Sequence, residues 1–376
     1  MRIPFNASAG SSLGVEWELQ LVSPDTRQLT SGASEVLAAL SPDGEHPRAK
    51  HELLQSTIEV VTGVCATVAE ATADLAGTVA ELAPLLAERD LALMCAGTHP
   101  FTDWATQQIS PNERYATLIS DMQWLGRRLQ IFGVHVHVGV RSAAKAMPIV
   151  NALTAYVPHL LALSASSPYW VGQDTGLASA RSKVFEALPT AGLPYQLADW
   201  PEFEAYMATL IATGTIDSIK EVWWDIRPHP VFGTVELRIC DGLPTLREVG
   251  MVAALSQCLV DSLDRELDRG YTLPVPKGWV VRENKWRAAR YGLDAVVIQG
   301  EDDTTVPVRD AIAELVQDLA PAAQRLGCET ELASVLETLE TGASYERQRA
   351  VAAASGGDLH AVVDSLLAEF AAGRPA

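Results

Sequence analysis

Four segments of this chain alternate apolar and polar residues so that one face of each carries ionisable groups. In GVEWELQLV, residues 14–22, Val15, Trp17, Leu19 and Leu21 fall on one side and Glu16, Glu18 and Gln20 on the other, because successive side chains of a strand point to opposite faces. STIEVV turns Glu59 away from Ile58 and Val60. GVHVHVGV sets His135 and His137 against Val134, Val136 and Val138, and TVELRICD sets Glu236, Arg238 and Cys240 against Val235, Leu237 and Ile239. Any one of these is an ordinary amphipathic strand with a wetted face. Joined in one sheet, the four would concentrate six carboxylate and imidazole groups around an arginine.

Helical spacing dominates elsewhere. Ala66–Arg89, Asn112–Leu129, Ala143–Ser164, Trp200–Thr213, Thr245–Arg269, Val308–Leu326 and Gly357–Ala372 read as helices, with Pro84 a late kink in the first. A Gly- and Pro-rich stretch follows Ser164 and runs to Pro194 without a regular period. The order of elements predicts one domain over residues 1–376 of the α+β class, a curved, mainly antiparallel sheet with helices packed on its outer face.

The totals narrow the function. The 376 residues, 48% of them hydrophobic, are enough for a large buried core. A formal charge of -19 disfavours nucleic acid and acidic membrane surfaces as partners. The N-terminal residues lack the apolar core of a signal peptide, and Asn151, Pro158 and His159 interrupt the most apolar helix, so a cytoplasmic protein is expected. Cys65, Cys95, Cys240, Cys258 and Cys328 have neither disulfide-framework nor zinc-knuckle spacing. Against the acidic background, Arg282, Lys285, Arg287 and Arg290 form a basic cluster, either a solvated helix face or a site for an anion.

Glu16, Glu18, Glu59 and Glu236 in one cleft would repel and raise each other's pKa unless divalent cations neutralised them. An oxygen-rich set with imidazole suits Mg²⁺ or Mn²⁺, and Mg²⁺ in turn points to nucleotide phosphates. His135 and His137 also admit a metal-dependent hydrolase, since His-x-His strands serve that chemistry, or a purely structural role.

Taken in order, GVEWELQLV, HELLQSTIEVVTG, AGTHPF, GVHVHVGV, TVELRICD and ENKWRAARYGLDA resemble the type 2 glutamate-cysteine ligase family of carboxylate-amine ligases, over residues 14–295. The resemblance implies a glutamine-synthetase-like fold whose sheet forms an active-site funnel. It implies ATP as co-substrate, an acyl-phosphate intermediate, and glutamate or another carboxylate joined to cysteine or another small amine. By position it makes Glu16, Glu18, Glu52, Glu59, His135 and Glu236 metal ligands, with Arg238 facing phosphate and Glu236 and Arg238 at the chemistry. It makes His137, Lys285, Arg287 and Arg290 nucleotide contacts, and adds Arg347 and Arg349 as helpers. A homodimer is expected on the same ground. The family often has an acid where this chain has Trp17, which faces the apolar side and leaves the ligand pair intact. Ser167–Pro194 is the candidate cover that keeps water from the intermediate.

Overall fold

The structure, a computed structural model, describes residues 1–300 and 304–375. Its principal sheet has seven strands: β1 (Leu13–Val22), β2 (Ala49–His51), β3 (Thr57–Val61), β4 (Ala92–Met94), β5 (Val134–Gly139), β6 (Ile226–His229) and β7 (Thr234–Leu237). They lie in the order β6-β7-β5-β1-β3-β2, all pairs antiparallel, with β4 pairing the last residues of β1. The expected α+β arrangement is what forms.

The apolar side of each strand faces a layer of helices. Val15, Leu19, Ile58, Val60, Val134, Val136, Val138, Val235 and Leu237 are buried in a core shared with Val68–Ala87, Ala143–Leu153 and Leu246–Asp268. Burial of a Leu- or Val-sized side chain stabilises by about 1.5–3 kcal/mol, so this face fixes the strand register: a slip of one residue would turn the acids inward. Trp17 spans the two layers, its Nε1–H donating to Leu243 O at 3.0 Å and its ring tilted against Phe370. The helix Leu246–Asp268 starts where Thr245 accepts from Glu248 N, an N-cap that satisfies one of the free amides of the first turn.

Two expected helices are broken. Residues 112–129 form Glu113–Met122 and a short turn, Trp124–Arg127, because Gln123 takes φ 50°; the break folds Leu118, Ile119 and Leu129 onto Leu53 and Leu54. Residues 143–164 split into Ala143–Leu153 and Val157–Ser164 around a 3₁₀ turn, since Pro158 has no N–H for a continuous ladder and fits only the first turn of the second helix. By length and hydropathy this stretch could cross a membrane, but most of it is buried within the protein. All five cysteines are free and buried, and folding brings the Sγ atoms of Cys258 and Cys328 to 3.6 Å.

Arg347 lies in a buried cluster of the helical layer, donating to Glu248 Oε1 at 2.7 Å and to both oxygens of Glu369 at 2.8 and 3.0 Å. Removing one partner of such a group strands the others without compensation. Arg347→Met should therefore lower the unfolding free energy by about 3–5 kcal/mol, read from urea titrations of mutant and parent.

His99 is fully buried with its Nε2 at 2.8 Å from Arg27 O, while its Nδ1 accepts from Thr102 N at 3.0 Å. Burial pushes its pKa down to about 3, so the folded protein holds the ring neutral. The unfolded chain takes up that proton below pH 6.5, and stability should fall as pH drops from 6.5 toward 3. His99→Gln should remove up to about 1.4 kcal/mol per pH unit of that slope, measured as urea midpoints between pH 7 and pH 4.

Candidate active site

The face of the sheet away from the helices carries the acids, and strand register determines which of them meet. Glu16 stands across from His135, Glu18 from Glu59, Glu236 from His137 and from Arg227. Two glutamates directly opposite on neighbouring strands are unfavourable on their own, so Glu18 and Glu59 need a counter-charge.

Distances define two groups that share Glu16. Its Oε2 is 3.1 Å from His135 Nδ1 and its Oε1 is 3.3 Å from His137 Nε2. Ligand atoms of Glu16, His137 and Glu236 all lie within 4.8 Å of one another, and so do those of Glu16, Glu59 and His135. Glu18 Oε1 is 3.9 Å from His135 Nε2, and its Oε2 accepts from Gly133 N. Glu52 sits just past β2, outside the alternating pattern, where Tyr115 Oη donates to it at 2.8 Å and Leu53 N at 2.9 Å.

Electrostatics divide this set. Burial raises the Glu16 carboxyl, but hydrogen bonds and charge from His135 and His137 outweigh it and leave Glu16 well below the usual range. Burial likewise opposes ionisation of Glu236, and the Arg227 and Arg238 guanidiniums overcome it. Glu18 is pushed up to about 8 by burial and then by the charge of Glu52. Glu59 rises well above the usual value through burial, then through Glu16, Glu52 and Glu18, and burial raises Glu52 as well. His135 falls to about 4 through burial and Arg238, whereas for His137 the charges of Glu236 and Glu16 overcome burial and raise it. Glu18, Glu52 and Glu59 are thus acids held against ionisation, the condition a divalent cation relieves.

The residues fit such a cation. His137 Nδ1 is 3.0 Å from Thr234 Oγ1, which orients the ring, while its Nε2 is turned inward and faces Glu16 at 3.3 Å and Glu236 at 3.9 Å. A buried imidazole nitrogen aimed at two carboxylates is a ligand arrangement, and hard oxygens with imidazole favour Mg²⁺ or Mn²⁺. His137, expected among the nucleotide contacts, is thus grouped with Glu16 and Glu236.

A cavity of about 410 Å³ opens on this face, with Glu18, Glu52, His135, Arg181 and Arg238 on its charged side. Leu53, Leu54, Ile131, Leu188 and Trp223 form an apolar wall. Arg238 donates to Glu236 Oε1, and its Nε is buried without a partner. The Gly- and Pro-rich stretch supplies part of the cavity through Arg181, Phe185 and Leu188. It is anchored by Asp241, which accepts from Ser166 N at 3.0 Å, Ser167 Oγ at 2.6 Å and Ser179 Oγ at 2.8 Å.

The basic cluster stands apart from the acids. Lys285 is buried, its Nζ 2.6 Å from Asp225 Oδ2 and also paired with Glu186; Arg287 Nε donates to Glu283 Oε1 at 2.7 Å, and Arg290 donates to Gly176 O. None of the three lines the cavity. Arg347 is engaged by Glu248 and Glu369, and Arg349 Nη2 donates to Asp174 Oδ1 at 2.8 Å, so neither helper reaches the acid face. Two residues absent from the sequence-based site belong to it. Arg227, whose Nε donates to Glu236 Oε2 at 2.6 Å, was signalled by the alternation of IRPH; Arg181, on a short helix after an irregular loop, had no periodic signal.

A family model described as glutamate-cysteine ligase family 2 (GCS2) matches residues 12–365. A protein of Frankia casuarinae, named as a candidate glutamate-cysteine ligase 2-1, is 63% identical over 378 residues, which is 100% of this chain and 99% of that protein. One of Thermobifida fusca, named as a candidate glutamate-cysteine ligase 2, is 59% identical over 379 residues, 100% of this chain and 95% of its own length. Among solved structures, the glutamate-cysteine ligase of Francisella tularensis in complex with AMP superposes with a TM-score of 0.70 at 12% identity, covering 97% of this chain and 90% of that one. A bifunctional glutathione synthetase from Pasteurella multocida gives 0.69 at 15% identity, covering 96% of this chain and 52% of that one. At such identities the superpositions speak for the fold, while the sequence matches carry the relationship, and they favour a ligase over the hydrolase alternative. By a family match running almost end to end and by full-length relatives near 60% identity, the chain belongs to glutamate-cysteine ligase family 2.

Proposed function

We propose that this protein is an ATP- and Mg²⁺-dependent ligase that joins the γ-carboxylate of glutamate to cysteine or another small amine through an acyl phosphate. The observation that carries the reading is the convergence of Glu16, Glu18, Glu52, Glu59 and Glu236 with His135 and His137 beside Arg238, on one face of one sheet. The AMP held by the Francisella tularensis structure supports a nucleotide as a substrate for this fold.

A carboxylate attacking the γ-phosphate must approach a group of its own charge sign. Mg²⁺ or Mn²⁺, held by Glu16 with His137 and Glu236 and by Glu16 with Glu59 and His135, would neutralise phosphate charge and hold the oxygens in line. Arg238 contributes from the protein itself. Its hydrogen bond to Glu236 fixes the guanidinium, and the free Nε–H is a preorganised donor for an oxygen that gains charge as phosphoryl transfer proceeds. Such a donor contributes about 2.7–4 kcal/mol when the site excludes water. Arg227 clamps the other oxygen of Glu236 and so orients the ligand that both groups depend on. The amine then displaces phosphate from the acyl phosphate, a step that competes with hydrolysis unless the walls of the cavity exclude water.

Glu16→Gln and Glu236→Gln should each lower ADP formation by at least about 10³-fold in a coupled assay supplied with glutamate and an amine panel, with circular dichroism unchanged. Full activity in both variants would remove the acid cluster from the chemistry. Dialysis against a chelator should abolish ADP formation, and Mg²⁺ or Mn²⁺ should restore it where Ca²⁺ does not, because the larger ion tolerates a looser geometry than in-line transfer requires.

A further inference from the structure

We infer that Cys258 and Cys328 form an oxidation site, at which peroxide converts the two thiols into a disulfide that fastens the helical layer behind the sheet. The pair has no part in the acid face, so the inference stands independently of the ligase reading.

Folding brings together two residues that are 70 apart in the chain. Cys258 sits within Leu246–Asp268, the helix that backs β1 and β5, and Cys328 stands at the head of Glu329–Thr341. Their Sγ atoms are 3.6 Å apart, in contact, so a bond of about 2.05 Å is reached by turning two side chains. The backbone around them is held. Arg325 Nη2 donates to Asp261 Oδ2 at 2.8 Å, tying the end of Val308–Leu326 to the helix one turn beyond Cys258. Cys328 N donates to Ala323 O at 3.1 Å, and Cys328 O accepts from Leu332 N at 2.9 Å. The other three cysteines are matched with oxygen instead: Cys65 Sγ with Gly63 O at 3.6 Å, Cys95 Sγ with Glu18 O at 3.1 Å, and Cys240 with Ser164.

The two thiols differ in reactivity and in access. Hydrogen bonding from Cys258 leaves the Cys328 thiol below its ordinary value, against burial and the charges of Glu331 and Glu329, and lifts Cys258 above its own. Cys328 also occupies the N-cap position, where no side chain caps the first turn and the backbone amides favour a thiolate. Both side chains are buried, but Cys328 lies between exposed Gly327 and Glu329, whereas Cys258 belongs to an unbroken buried run from Glu248 to Asp261. Cys328 is therefore the sulfur that a molecule as small as hydrogen peroxide meets first.

The Cys328 thiolate attacks one peroxide oxygen. The O–O bond breaks, hydroxide leaves and takes up the proton that the thiol released, and Cys328 becomes a sulfenic acid beside Cys258. The Cys258 sulfur then attacks the Cys328 sulfur, the S–O bond breaks, and a second water departs with the Cys258 proton. Two electrons have passed from the sulfurs to peroxide. The new bond closes a loop that contains Gly278–Tyr291 and Val308–Leu326, and so restricts the unfolded chain.

The test treats the folded protein with hydrogen peroxide, alkylates the remaining thiols and digests it without reductant. Free thiols should fall from five to three, and a peptide pair joining positions 258 and 328 should be two hydrogens lighter than its parts. The urea midpoint should rise by about 1 M and return when dithiothreitol is added. Cys258→Ala and Cys328→Ala should each abolish that rise. In Cys258→Ala, dimedone should trap a sulfenic acid at Cys328; in Cys328→Ala it should label no cysteine. Five intact thiols after peroxide, a crosslink that forms only in urea, or a crosslink that leaves the midpoint unmoved would each overturn the inference. So would dimedone labelling confined to Cys65, Cys95 or Cys240. Should either variant fail to fold, the peptide masses and midpoints of the parent protein still decide.

Discussion

Mutual repulsion among clustered carboxylates, two buried and three half-buried, is the constraint around which this structure is organised. Glu16, Glu18, Glu52, Glu59 and Glu236 occupy one face, and only two of them are relieved by the protein, Glu16 through His135 and His137 and Glu236 through Arg227 and Arg238. The others are held toward their neutral forms by burial, and Glu18 and Glu59 by neighbouring carboxylates as well. Such an arrangement weakens a folded protein unless an added cation offsets it, so it marks a site where stability has been exchanged for chemistry.

The opposite face makes the arrangement tolerable. Valine, leucine and isoleucine side chains behind β1, β3, β5 and β7 are closed against three helices, and their burial locks a register that sets Glu16 across from His135 and Glu236 across from His137. Fold and site are two faces of one pattern. A residue such as Trp17 has no contact with the chemistry, yet by tying the first strand to Leu243 it holds Glu16 and Glu18 in place.

That pattern explains how far the sequence could be read. Period-two alternation reveals which side of a strand a residue occupies, and so Glu16, Glu18, Glu59, His135, His137, Glu236 and Arg238 were legible as a set. The same rule applied to IRPH would have added Arg227. Glu52 was reachable only through resemblance, because it lies beyond the end of a three-residue strand. Arg181 depends on an irregular loop folded around Asp241, which no local periodicity reports. The partners of the basic cluster were out of reach for a related reason: helical spacing does not reveal that Lys285 turns inward to Asp225 and Glu186 while Arg287 and Arg290 bind carbonyls nearby. Helix ends at Gln123 and Thr154 likewise follow from tertiary contacts and from a proline's missing amide.

The two sides of the cavity differ in how they are fastened. The segment bearing Arg181 is riveted by three bonds to the Asp241 carboxylate, four residues past the end of β7, whereas Glu113–Met122 rests on a small cluster around Leu53 and Leu54 and on the Tyr115 hydroxyl. Compliance therefore resides in the helix. Protein engineers wishing to retune which molecules enter would vary its inward-facing positions, Leu118 and Met122, and leave the rigid side as the reference frame that keeps the acids in register.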